Sequence, residues 1–300
     1  MSELSPFRCS ENMVVNIANK RLRCNGKHIN EIAGKGIISE PDIAIMKIYK
    51  EFGFLNRYNA TRLVNEQYKG AEWIKDDYGS NFKKLTEHAI LIKYDITGDE
   101  NWPPCYSLSH GADSYMEQSF GSRVLRSLSR PASTIVMEHP EELMRILSAN
   151  QFHASVLSFY KKEIRKSYRQ YVVHLKDKTT AVIDYIYRID NEKTSKGYYD
   201  IAVLSQRHYE GWGKDYRVRL KACMECEMLE TPVILVVCEN DVYTLEAERT
   251  RLTSNGINRL PVYYTIDINS VMSGESPFNG VYRYRGMGID MAYDVINLNI

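Results

Sequence analysis

The spacing of apolar and polar positions changes period along the chain, and those changes divide it. From Ser39 the spacing is helical: Ser39 is a good N-cap, Glu40 follows, and Pro41 falls in the first turn, where a missing N–H costs nothing. Ile43, Met46, Ile48 and Tyr49 supply the apolar positions, and Phe52-Gly53 ends them. A second short helix fits Asn59 to Tyr68, with Ala60, Leu63 and Val64 inward. A third fits Ser80 to Ala89. There Phe82, Leu85 and Ala89 recur at i, i+3 and i+7, leaving Asn81, Lys83, Lys84, Glu87 and His88 outside. The period then shortens: Ile90 to Tyr94 reads as a strand, Gly98 to Pro104 as turn chemistry and Cys105 to Leu108 as the return strand. Helix, helix, helix, strand, turn, strand is the order of a winged helix-turn-helix, a module that lays one helix in a nucleic-acid groove.

Before it, residues 1–38 form an extension or cap in which Met13 to Ile17 and the Cys24 to Lys27 turn suit a small hairpin. After it, Met116, Phe120, Val124 and Leu128 recur every four residues in a helix from Gly111 to Arg130, with Arg123, Arg126 and Arg130 on other faces. Arg130-Pro131-Ala132-Ser133 breaks that helix and marks a hinge, so residues 39–130 and 131–300 are expected to be separate domains. A long helix is predicted from Glu138 through about Lys166. Its end carries Lys161, Lys162, Arg165, Lys166 and Arg169, which complement the helix dipole. Strands then follow over 170–175, 181–188 and 198–204, a helix over 214–228, a continuous apolar strand over 232–238, a helix from Asp241 to Ser254 and a strand over 260–266. The tail from Gly274 is left unassigned. Strands joined through helices imply partly parallel pairing, hence an α/β sheet and an α+β chain overall. Their order matches the core of restriction-endonuclease-like domains.

Composition sharpens this picture little. With 300 residues the chain can hold two modest cores, and 44% apolar with 26% charged residues is ordinary for a globular protein. A net charge of +1 neither favours nor excludes nucleic acid, since a basic face can sit within a neutral whole. The 22 tyrosines suit a binding protein. No signal peptide and no apolar stretch of bilayer length is found, so a cytoplasmic protein without membrane contact is expected, its six cysteines reduced. Cys223-Met-Glu-Cys226 has metal-ligand spacing but no second pair, and reads as helix core. Neither a phosphate loop nor a His-Glu-x-x-His or Gly-x-Ser-x-Gly motif is present.

Three stretches resemble one family. Cys105-Tyr-Ser-Leu-Ser-His-Gly-Ala112, Met144-Arg-Ile-Leu-Ser-Ala-Asn-Gln-Phe152 and Ile183-Asp-Tyr-Ile-Tyr-Arg188 are similar to the replication-relaxation proteins of plasmids and integrative elements in Gram-positive bacteria. The resemblance covers most of Ser39 to Asp267 and implies a winged helix followed by a restriction-endonuclease-like domain. On that reading the protein binds double-stranded DNA as an accessory or regulator of plasmid replication, relaxation or conjugative transfer. It would be a homodimer, with a relaxase or replication protein as partner. The residues expected to face DNA are Arg57, Asn59, Thr61, Ser80, Asn81, Lys83, Lys84, His88 and Lys93.

A nuclease of this fold needs carboxylates on its second and third strands to hold Mg²⁺, and a lysine two residues after the latter. Asp184 and Asp200 are the candidate carboxylates, but the lysine position is Ala202; Lys214 and Lys221 are the candidates for a displaced lysine. Loss of that cation favours an inactive domain with no cofactor. The alternatives are an active Mg²⁺-dependent nuclease using Asp184 and Asp200, and a transcription factor whose α/β domain senses a ligand.

Overall fold

The chain divides into two compact units, residues 10–143 and residues 1–9 with 144–300. The computed structural model describes residues 5–19, 24–99, 102–120, 132–192, 194–230, 233–239, 242–252, 261–267, 276–285, 292–296 and 298. Arg123, Val124, Arg126, Leu128 and Arg130, the Pro131 break, and the Asp241 and Ser254 ends of the expected helix lie outside those residues. Both units mix helices with a sheet.

The first unit opens with β1 (Val14–Ile17) and α1 (Gly26–Gly34). Where a hairpin was expected, Asn25 instead caps a helix, its Oδ1 accepting the His28 N–H at 2.8 Å. Then come α2 (Glu40–Phe52), β2 (Leu55–Asn56), α3 (Arg57–Gln67) and α4 (Gly79–Glu87). The strands β3 (Leu91–Thr97) and β4 (Cys105–Leu108) follow, and α5 (His110–Phe120) and α6 (Ala132–Glu138) come last. The strand order is β1-β3-β4-β2, antiparallel throughout.

Local chemistry sets the helix ends. At the start of α2 the Asp42 carboxylate accepts the Ser39 N–H at 2.7 Å and the Ser39 hydroxyl at 2.6 Å, which satisfies an orphan donor of the first turn. Gly53, at φ 75°, closes the helix in a conformation L side chains rarely adopt. The turn ends in β2, two residues that the helical spacing hides. Asn56 then caps α3 by accepting the Asn59 N–H at 2.8 Å, so this helix begins two residues earlier than expected. Tyr49, Phe82 and Tyr106, with centroids 5.4–6.4 Å apart, knit α2 and α4 to β4.

In the second unit, α7 (Pro140–Tyr160) leads to β5 (Ile164–His174), β6 (Thr180–Asp190) and β7 (Tyr198–Ser205). α8 (Trp212–Glu225) and α9 (Val242–Thr250) then alternate with β8 (Val233–Cys238) and β9 (Val262–Ile266). Two further strands, β10 (Val281–Arg285) and β11 (Ala292–Ile296), occupy the tail left unassigned by sequence. The sheet runs β11-β10-β9-β8-β7-β6-β5 and is parallel only at β7–β8 and β8–β9, the pairs joined through helices. Ala149, Phe152 and Val156 of α7 cover one face against Tyr185, Tyr187, Ile201 and Leu235. Tyr216 and Leu220 of α8 with Leu245 of α9 cover the other against Ile186, Leu204, Ile234 and Val236. Burial on both faces explains why β7 and β8 are apolar without alternation.

The expected helix through Lys166 is shorter. It stops at Tyr160, the Glu163 N–H closes a turn on the Tyr160 carbonyl at 3.1 Å, and Arg165, Lys166 and Arg169 belong to β5. Aromatic and β-branched residues from Ile164 to Val173 pair along β6 and outweigh the helical count. Within β5, Gln170 has φ 46°, a backbone reversal rare outside glycine. It lets Tyr168 and Tyr171, three residues apart, pack on the same core, and Asp184 stands at this irregularity on β6.

A buried histidine gives the unit a pH dependence. His153 on α7 stacks on Tyr185 at 4.4 Å between centroids and bonds through Nδ1 to the Tyr187 hydroxyl at 2.6 Å. Burial, with a lesser push from Arg169, lowers its pKa from 6.5 to about 3. The folded state therefore favours neutral imidazole. This contribution is whole above about pH 6.5 and is lost as pH falls towards about 3, at up to about 1.4 kcal/mol per pH unit. His153→Phe is expected to flatten the loss of urea midpoint between pH 6.5 and 4; a variant that loses as much as wild type would contradict this.

Candidate functional site

Two regions carry the chemistry, one in each unit. In the first unit the exposed positions of α4 are Ser80, Lys83 and Glu87, with Lys83 and Glu87 4.0 Å apart. Lys83 is 78% exposed and free to exchange that weak pairing for a phosphate. Arg57, at the start of α3, is also exposed and pairs with Asp77. Thr61, His88 and Lys93 are half-buried: the His88 ring meets His28 at a tilt, 5.6 Å between centroids, and Lys93 pairs with Asp95 at 2.8 Å.

The structure withdraws other candidates from this surface. Asn81 is buried and donates to Asp42 at 2.8 Å, and Lys84 pairs with the same carboxylate while bonding the Ile37 carbonyl at 3.0 Å. Asp42 is itself fully buried. Burial alone would raise its pKa, but the bonds from Lys84, Ser39 and Asn81 outweigh that and lower it. Both residues therefore brace α4 on α2 rather than point outward. Asn59 is wholly buried, because the earlier start of α3 rotates it onto the inward stripe beside Ala60 and Leu63; its side-chain amide has no hydrogen-bond partner.

In the second unit Asp184 and Asp200 do not converge. Asp184 is fully buried on β6, across from Gln170 of β5. Oδ1 accepts from Arg145 at 2.5 Å and Gln170 at 3.1 Å, and Oδ2 accepts from the Ser205 N–H at 2.7 Å and from Arg219. Asp200 lies opposite Arg188, whose guanidinium holds it through both oxygens at 2.7 and 2.8 Å. Asp184 and Arg188 are four residues apart on β6, so the two carboxylates are separated by roughly 13 Å along the sheet. Lys214 is exposed on α8, and Lys221 pairs with Asp177 at 2.5 Å. These residues do not fit a Mg²⁺ ion: each carboxylate is already neutralised by arginine, and one ion cannot reach both. Among the described residues no three His, Cys, Asp or Glu side chains are grouped as metal ligands. Cys223 and Cys226 are buried, and Cys223 packs in the core beside Leu220.

The main polar assembly of this unit escaped the sequence reading. It gathers where β7, β8 and β9 end. Arg207 is fully buried, and its Nη2 donates to Asp267 at 2.8 Å, to Ser205 at 3.0 Å and to Ser148 on α7. Its Nε and Nη1 have no partner. Glu239 accepts the Cys9 N–H at 3.0 Å and faces His208 Nδ1 at 3.4 Å. One signal could have revealed this: Arg207, Glu239 and Asp267 each sit one or two residues past an apolar strand, and the carboxyl ends of parallel strands are where such folds place charge. Arg207 and Asp267 form a buried ion pair that ties the ends of β7 and β9 to α7 through Ser148.

No known protein-family model, curated protein or solved structure matches the chain.

Proposed function

We propose that the protein binds duplex DNA through its first unit, acting as a winged helix-turn-helix with α4 in the groove. The observation that carries this is the order α2-β2-α3-α4-β3-β4, with β2, β4 and β3 adjacent in one antiparallel sheet and Ser80 and Lys83 outermost on α4. The second unit, in this reading, is a restriction-endonuclease-like domain that does not cleave, since Asp184 and Asp200 are each held by arginine. It serves instead for dimerisation or for docking a relaxase or replication protein of a mobile element, the setting implied by the resemblance to replication-relaxation proteins.

The test is the salt dependence of duplex binding. Lys83→Ala removes one phosphate contact and is expected to lower the log–log salt slope by about 0.9. Lys84→Ala is expected to act differently: it breaks the Asp42 bracket and lowers the melting temperature. An unchanged slope and affinity for Lys83→Ala would remove α4 from the interface.

A further inference from the structure

The strongest unassigned feature is the outer edge of the second sheet. β5 ends the strand order, so among the described residues one side of its backbone has no strand beside it. Such an edge is a template for pairing unless something blunts it. Here the blunting is basic. Between positions 161 and 178 there are seven lysines and arginines against two acids, a local charge of +5 in a chain of +1 overall, which leaves the remainder at −4. Lys161, Lys162, Arg165 and Lys166 are all exposed. Arg165 shares its charge with Asp190 but keeps half its side chain in solvent. Beside them Arg188 lies over the Tyr198 ring at 4.3 Å, its charge taken up by Asp200.

Eleven residues of strand span about 36 Å, close to one helical turn of B-DNA, over which the duplex presents a phosphate every ~1.7 Å. A phosphate backbone complements this run, in which Glu163 and Asp177 are the two acids set against seven basic residues. We infer that the β5 edge and the turn leading into it, with Lys161 and Lys162 in the turn and Lys166 on the strand foremost, form a sequence-independent binding surface for the phosphate backbone of duplex DNA. It is a second surface beyond the one on α4 and stands or falls separately from it.

The experiment compares full-length variants on two random-sequence duplexes of equal length. Lys161→Glu with Lys162→Glu and Lys166→Glu is expected to weaken both by about tenfold or more and to lower the salt slope by up to about 2.7, three contacts' worth. The glutamine triple variant, which adds no repulsion, is expected to lose the same slope while keeping the wild-type urea midpoint. Lys214→Glu, an exposed charge on α8, is expected to change neither slope nor affinity. The inference is overturned if the triple variants bind as wild type does, or if Lys214→Glu costs as much per charge. It is also overturned if wild type sediments with phosphatidylserine vesicles but leaves duplex unbound. Lys83→Ala run alongside separates the two surfaces: loss there with intact binding in the β5 variants overturns this inference alone, and the converse overturns the α4 reading alone.

Discussion

Asp184→Ala is expected to destabilise the second unit by about 3–5 kcal/mol, read as a fall in urea midpoint. The side chain has no exposure, and its removal takes the shared counter-charge from two guanidiniums. Arg219 would keep its bonds to the Ser205 carbonyl at 2.7 Å and the Val182 carbonyl at 3.1 Å but lose its counter-charge. Arg145 would lose the partner that draws it down from α7. Asp184→Asn preserves shape and removes only charge, so it too is expected to cost stability. A carboxylate kept for metal catalysis behaves in the opposite way, since neutralising an active-site charge commonly leaves stability unchanged or raises it. A midpoint equal to or above wild type in Asp184→Asn would show that the residue is not a structural anchor.

Leu85→Ala is expected to cost the first unit about 2–5 kcal/mol and to abolish DNA binding by unfolding α4. Leu85 is 1% exposed on the inward stripe of α4, one turn on from Phe82, which packs against Tyr49 and Tyr106. Wild-type melting in this variant would mean that the inward face of α4 is misplaced.

Residues 39–108 were legible because their signals are local. Caps, the Pro41 position and a strong apolar period fix three helices and two strands within a turn of where they lie. What stayed hidden depends on contacts far along the chain. Asn25-Gly26 is turn chemistry in isolation, yet the same asparagine caps α1 once Ile29 and Ile32 have a core to enter. β5 was half hidden because an edge strand carries charge on both faces and masks the alternation that marks inner strands. The outward set on α4 failed at Asn81 and Lys84 for another reason: the spacing shows which residues leave the apolar stripe, but not that a buried Asp42 one helix away needs their donors. Likewise Asp184 and Asp200 are visible as carboxylates on strands, whereas their arginine partners lie on other elements and only folding brings them together.

Binding and the absence of cleavage can both be read from one gel. Supercoiled plasmid is incubated with the full-length protein in Mg²⁺ and again in Mn²⁺; half of each sample is run directly, and half after the protein is stripped with detergent. The predicted result is a retarded plasmid in the direct lanes and fully supercoiled DNA in the stripped lanes with either metal. Plasmid that migrates as free DNA in every direct lane would contradict the binding, and nicked or linear plasmid in the stripped lanes would contradict the loss of cleavage.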